Sequence, residues 1–314
     1  MGALFIIGNG FDLAHGMPTQ YSDFRNFLVE IYPDAEKNKD YAVNIEDYMY
    51  MDDERKFAAE ILLSTMDKVA GNDWRDFEES LARIDFGNKF PGIVHSESVN
   101  DEEHKFLIEQ YLLYMDRLSG PFIHCSNYWQ EFFELWMQDI KSQIDSNKFQ
   151  PRESLKELFS QQDTQFFTFN YTRTLRKLYN KKPVIHIHNR VGKRLIFGHG
   201  EEDATTIASC DNIYFGSSFI DDMTNTFKKD TETALKNNKQ FFDNLDHKID
   251  KVYSYGFGYG KVDAVYIRKI ISNISPDAVW HFTTFEAKDT EALRIKKVKL
   301  RNYGFKGTFS LYTG

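Results

Sequence analysis

The sequence predicts an α/β fold, a Rossmann-like, mostly parallel sheet with a large helical insertion. Three observations carry this expectation. Apolar runs fit for strands buried on both faces occur near the N-terminus and again through the second half, each followed by a loop and a helical pattern. The stretch between them, 53–145, is strand-poor and spaces its apolar residues as helices do. No period of 20–50 residues repeats and no low-complexity tract appears, so neither a solenoid nor a long linker is indicated. The expected division is an α/β domain from 1–34 and 160–314, interrupted by a helical cap from 35–159.

In order, Leu4-Phe5-Ile6-Ile7 read as a buried strand closed by Gly8. Phe24, Phe27, Leu28 and Ile31 recur at helical spacing from Tyr21, and Pro33 ends that helix. Phe57, Ile61, Leu62 and Met66 make one helical face, and Trp74, Phe77 and Leu81 another. Helices are expected over 101–118 and 126–145, with Gly87, Pro91 and Pro121 as punctuation. Strands follow at 164–171, 183–188 and 194–200, the first two separated by a helix over 172–179, for which Thr172 is a candidate N-cap. A charged helix covers 221–245, and 251–260 is a strand with a Gly-rich turn. A helix covers 263–272, and strands at 278–285, 293–301 and 307–313 close the chain. The segment "LRIKKVKLR" is assigned as an edge strand because Ile295, Val298 and Leu300 are interspersed with cations.

A chain of 314 residues with 41% hydrophobic content, 28 Phe and 17 Tyr can pack a large aromatic core without metal or disulfide support. Its formal net charge of −8 argues against a globally basic nucleic-acid face. Cys125 and Cys210 stand far apart with no CxxC, which excludes a cysteine zinc site and fits a reducing compartment. "ALFII" is too short for a membrane span or signal core, so a cytoplasmic protein is expected.

Several groups of residues carry chemistry. Gly8-Asn9-Gly10 follows the first strand, where glycine allows close approach of a phosphate and amides can face an anion. Position 13 is Leu and Gly16 comes late, so G-x-G-x-x-G is not met, and no Gly-Lys-Ser/Thr follows. A nucleotide turn and a plain strand-to-helix connection both remain open here, with Asn9 and Asp12 on the same rim. Asn170 ends the strand of Phe166–Phe169, where it can orient a water or hydroxyl, or satisfy a turn. His186 and His188 lie two apart on a strand and so are expected on one face; His186 reads as packed, His188 as the general base nearer the strand end. No third metal-ligand spacing accompanies them, and no metal is expected. Gly256, Gly258 and Gly260 form a second loop, with Asp263 a ribose contact or a helix-start acid. In "DWRDFEESL", Trp74 reads as core and Glu78 as a rim acid or a solvated charge.

Taken together, "LFIIGNGFDLAHGMPTQYSDF", "DWRDFEESL", "FFTFNYTRTLRKLY", "VIHIHNR", "IFGHG" and "SYGFGYGKVDAVYI" resemble, in order and context, the AbiH family of bacteriophage abortive-infection proteins. That family in turn resembles the SIR2-like NAD-binding fold. The resemblance implies that Gly8-Asn9-Gly10 and Gly16-Met17-Pro18 hold a dinucleotide, with Asp12 and Thr168 beside it and Gly256 and Asp263 toward its ribose. It implies Asn170 and His188 as the NAD-cleaving pair. Two departures stand out: Asn189, not glycine, follows His188, and Phe257-Gly258 replace a polar pair after Gly256.

The function so implied is an antiphage effector, an NAD glycohydrolase. Cleaving nicotinamide from ribose builds oxocarbenium character on the sugar, and nicotinamide leaves neutral, so no acid is needed. The helical block would be a cap or regulatory surface. NAD or a related nucleotide, a phage-derived trigger or co-encoded defence protein, and a homo-oligomer are the implied partners, with no membrane. Two alternatives are a non-catalytic nucleotide or ADP-ribose sensor or assembly module, and a metal-dependent nuclease using Asp12, Glu78 and Asp263.

Overall fold

Four apolar residues in a row, Leu4–Ile7, need both faces covered, and the chain places them at the centre of a sheet. The computed structural model describes residues 2–35, 53–84, 101–160, 163–200, 225–245 and 247–314, with 101–122 as helix backbone alone. Six strands form one sheet: β1 (Gly2–Ile7), β2 (Thr164–Thr168), β3 (Val184–His186), β4 (Ile249–Tyr255), β5 (Val279–Thr283) and β6 (Thr308–Tyr312). Their order is β3-β2-β1-β4-β5-β6 and every pairing is parallel. The strand direction of growth reverses between β1 and β4, the crevice where sheets of this order take ligands off their carboxyl ends.

The helices are α1 (Asn9–Ala14), α2 (Tyr21–Ile31), α3 (Glu54–Ala70), α4 (Phe77–Ser80), α5 (Asp101–Asp145), α6 (Glu153–Phe159), α7 (Thr174–Tyr179), α8 (Thr231–Asn237), α9 (Lys239–Leu245), α10 (Ala264–Ile271) and α11 (Thr290–Asn302). Strand periodicity splits the core in two. Leu4, Ile6, Phe167, Val252, Trp280 and Phe282 face one side, covered by Phe242 of α9, Tyr266, Ile267 and Ile270 of α10, and Leu293 and Leu300 of α11. Phe5, Ile7, Phe166 and Tyr253 face the other, against Leu155 and Phe159 of α6 and Leu175 and Tyr179 of α7. Phe5 stacks between Phe166 and Tyr253, at centroid separations of 5.5 and 4.7 Å. Each such ring adds about 0.5–1.5 kcal/mol beyond its burial.

The chain forms two compact units. The sheet unit comprises Met1–Gln20, Glu134–Ile196 and Asp230–Gly314; the other comprises Tyr21–Phe133 and Phe197–Lys229. In the second unit, Phe24, Leu62, Trp74, Phe77, Trp129 and Phe133 are buried. Arg25 makes a two-point contact with Asp67, 2.7 Å at each oxygen, and Trp74 Nε1 donates to the same carboxylate.

Four local expectations are corrected. Residues 293–301 lie in a helix, α11, whose start is capped by Asp289 accepting from the Ala292 amide. Leu293 and Leu300, seven apart, face the core while Ile295 and Val298 are exposed, so a helical stripe mimicked a strand alternation. Residues 194–200 are no strand; only an isolated bridge joins His199 to Lys228. The expected helices 101–118 and 126–145 are one, α5, which continues through Pro121; the turns on either side outweigh a proline cost of about 3 kcal/mol. The expected 221–245 helix is not continuous: Asn225 is helical, a break precedes α8 at Thr231, which Asp230 caps, and Asn238 divides α8 from α9, while 221–224 lie outside the described residues. So do Gly87, Pro91 and Cys210.

Candidate functional site at the carboxyl edge of the sheet

The turn after β1 and the turn after β4 interlock. The Gly8 amide donates to the Tyr255 carbonyl and the Gly10 amide to the Gly256 carbonyl, each at 3.0 Å. A Cβ on Gly10 would stand 2.6 Å from the Gly256 Cα, and one on Gly8 2.6 Å from the Gly256 oxygen. Gly256 itself adopts φ +62°, with its notional Cβ 2.4 Å from the Gly10 Cα. These glycines are required by the approach of two backbones, and the amides of Gly8 and Gly10 are spent on that contact. Asn9 Nδ2 donates to the Thr19 carbonyl at 2.7 Å, fastening the Gly16-Met17-Pro18 segment back onto α1. Gly16 turns at φ +74° with open space around it, and Pro18 is half-buried.

Beneath the edge lies a cavity of about 10 Å³, lined by Ile7, Asp12, Thr168, Asn170, Thr174 and His186 among others. That is room for about one water. Asp12 is 1% exposed, and its two carboxylate oxygens accept from Thr172 and Thr174 hydroxyls, both at 2.6 Å. Burial pushes its carboxyl up to about 6, against the lowering effect of Thr172, Thr174 and Asn170. Thr172 is therefore an Asp12 donor; the residue at the start of α7 is Arg173, which makes no side-chain cap. Asn170 is buried, its amide nitrogen donating to the Gly8 carbonyl at 3.1 Å and its backbone N–H to the Thr168 hydroxyl. His186 Nδ1 donates to the Asn170 carbonyl at 3.0 Å, which places the ring's basic lone pair on Nε2. Burial lowers His186 to about 4; the Asn170 bond opposes this, and Arg190 and Arg173 add to it.

His188 lies elsewhere. β3 ends at His186, the chain turns, and Asn189 takes φ +65°. His188 consequently packs against Phe169 and Tyr266, ring centroids 5.6 and 5.4 Å away, within the core cluster on the opposite face from His186's cavity. The expectation that the two histidines share a face fails because extended geometry stops one residue too early. His188 Nε2 stands 3.3 Å from Asp263 Oδ1, with the side chains 3% and 14% exposed. Asp263 occupies the position before α10 without capping it. Behind this pair Phe257 stacks on Phe169 at 4.0 Å, a ring contact made by the residue that breaks the polar pattern after Gly256.

The structure thus brings Asp12, Thr168 and Asn170 together, joins His188 to Asp263, and closes Gly8 and Gly10 on Gly256. Glu78 belongs to the other unit, where it accepts from Tyr21 Oη at 2.7 Å and pairs with the buried ammonium of Lys229. Among the described residues, no three His, Cys, Asp or Glu side chains gather as a metal set, and no helix is long and apolar enough to cross a membrane. The sequence did not single out Thr174 or Arg173, and His186, read as packed, lines the cavity and is half-buried. The signal for Thr174 was present in the Thr-x-Thr after Asn170, which puts two hydroxyls near one acid. A larger cavity, about 310 Å³, lies beside the turn of Val191–Leu195 and is lined also by Glu134 and Gln138.

Residues 4–284 match the family described as bacteriophage abortive infection AbiH. No curated protein and no solved structure matches the chain. The match runs from Leu4, the first residue of the buried β1 run, through the last strand but one, and so spans the interlocked turns, Asn170, His188 and Asp263. The chain belongs to the AbiH family of bacteriophage abortive-infection proteins.

Proposed function

We propose that this AbiH protein binds NAD at the carboxyl edge of its sheet and hydrolyses the nicotinamide–ribose bond. The observation that carries the reading is the His188–Asp263 pair at 3.3 Å, beside the reversal of strand order in an all-parallel sheet. A carboxylate 3.3 Å from one imidazole nitrogen favours the proton there and leaves the basic lone pair on the other. In the reaction the C–N bond breaks with its electron pair on the nicotinamide nitrogen, which departs neutral. Water attacks the cationic ribose carbon and gives up a proton, accepted by His188. Asn170 positions a ribose hydroxyl or the water, and the products are nicotinamide, ADP-ribose and a proton.

The test is release of free nicotinamide from NAD by the purified protein, alone and with infected-cell extract. His188→Ala and Asn170→Ala should each slow release by about 10²-fold or more. Failure of the wild-type chain to release nicotinamide under either condition would rule the reading out.

A second reading, a sensor that binds NAD or ADP-ribose and leaves it intact, draws on a different observation. The Asn170 amide is given to Gly8, the Gly10 amide to Gly256, and the cavity lined by Asn170 and Asp12 holds about one water. Thermal stabilisation by NAD with the nucleotide recovered whole would select it.

A further inference from the structure

The glycine turn spends its amides on β4, so an anion at this edge needs another source of positive charge. Such a source stands next to it. Arg173 and Arg176 are three residues apart at the start of α7, a spacing that puts them on one helical face. The turn after β3 is laid against the same segment: the Val191 amide donates to the Tyr171 carbonyl at 2.9 Å, and Arg173 Nη2 donates to the Val191 carbonyl at 3.0 Å. This fold-back brings Arg190 to Arg173 and Arg176. Burial holds Arg190 below its ordinary value, and the two neighbouring guanidiniums lower it further.

No carboxylate among the described residues pairs with Arg173, Arg176 or Arg190, in a chain of net charge −8. Lys177, next along the helix, does have one, Asp145. The Arg173 Nε is buried and has no acceptor. A guanidinium carries five N–H donors, and a buried donor left unpaired is costly. The Val191 strap accounts for one nitrogen of Arg173 and leaves the convergence of three like charges unexplained. Planar guanidiniums in such a group match the paired oxygens of phosphates.

We infer that Arg173, Arg176 and Arg190 form the anion-binding side of this site and hold the diphosphate of a dinucleotide. This rests on the dinucleotide reading above and reassigns the phosphates from the Gly8–Gly10 turn to the β3–α7 side of the sheet.

The test is calorimetric titration of the full chain with ADP-ribose, inorganic pyrophosphate and a single-stranded oligonucleotide. Arg176→Ala, Arg190→Ala and the double variant are compared with wild type, and circular dichroism checks their folding. Arg173 is left in place because it straps the Val191 turn. ADP-ribose affinity should fall about tenfold in each single variant and further in the double. Arg190→Lys should lose less than Arg190→Ala, and pyrophosphate should compete with ADP-ribose. Unchanged ADP-ribose binding in the double variant would overturn the anion site and leave the dinucleotide reading standing. Pyrophosphate binding lost in the double variant, with no ADP-ribose binding by wild type, would keep the anion site and remove the dinucleotide. Absence of any phosphate binding by wild type overturns the inference. An oligonucleotide held more tightly than ADP-ribose through the same arginines replaces the proposed occupant with nucleic acid.

Discussion

Asp263 precedes α10 yet leaves the helix uncapped, and its Oδ1 lies 3.3 Å from His188 Nε2. An acid in the first turn ordinarily serves the helix amides; this one is turned toward a histidine enclosed by Phe169 and Tyr266. If it fixes the ring's tautomer, Asp263→Asn should lower the rate of nicotinamide release by about 10–100-fold with little change in KM. Adding His188→Ala to that variant should cost little more than His188→Ala alone. Additive losses in the double variant would show that the two act separately.

Asp12 makes stability depend on pH. Its folded value, about 6, is above its ordinary 3.8, so the folded chain holds the proton to higher pH than the unfolded chain. The stabilisation tied to this group is fully present below pH 3.8 and is lost as pH rises through 6. By linkage the loss is of order 3 kcal/mol. Wild type should weaken relative to Asp12→Asn between pH 4.5 and 7.5 in urea unfolding. Parallel stability curves for the two proteins would contradict this.

The interlocked glycines should tolerate no side chain. Gly10→Ala sets a methyl 2.6 Å from the Gly256 Cα, and Gly256→Ala combines a 2.4 Å approach with φ +62°. Each should cost about 2–4 kcal/mol, from forced backbone movement and strain. Gly258→Ala, with nothing within 4 Å, should stay within about 0.5 kcal/mol. A shift in melting temperature confined to the first two variants is the expected pattern.

In the helical unit, Lys229 is 4% exposed and pairs with Glu78, which also accepts from Tyr21. Glu78→Gln should destabilise by about 3–5 kcal/mol, because it removes the carboxylate paired with a buried ammonium. Glu78→Gln with Lys229→Met should recover much of that loss. Urea midpoints of the three variants decide it; a double variant weaker than Glu78→Gln would refute the account.

The sheet was legible because buried parallel strands are written as short, predominantly apolar runs. "LFII", "FFTF" and "VWHF" each appear as one, and each becomes a strand. Asn170 and Asp263 were legible as polar residues stationed at element ends. What the sequence concealed was set by tertiary contact. Nothing local in "RIKKVKL" tells that only Leu293 and Leu300 meet the core, and period-2 reading carried His188 past the point where β3 stops. Gly8 and Gly10 announced a close approach; their partner, Gly256, is too distant in sequence for any motif to name. The pairing of Lys229 with Glu78 is of the same kind.

β1 ends at Ile7, and its neighbours β2 and β4 end at Thr168 and Tyr255. At about 5–20 residues per second, β1 waits roughly 12–50 s from its own synthesis to that of β4. Until β2 is made the strand "ALFII" has no neighbour to pair with, and until β4 is made the crevice beside it has only one wall. Newborn chains should therefore lean on chaperones early, and any message truncated before residue 249 would yield a product lacking one wall of the crevice. Synthesis itself is a timing gate: the carboxyl edge comes into being only once β4 has been made.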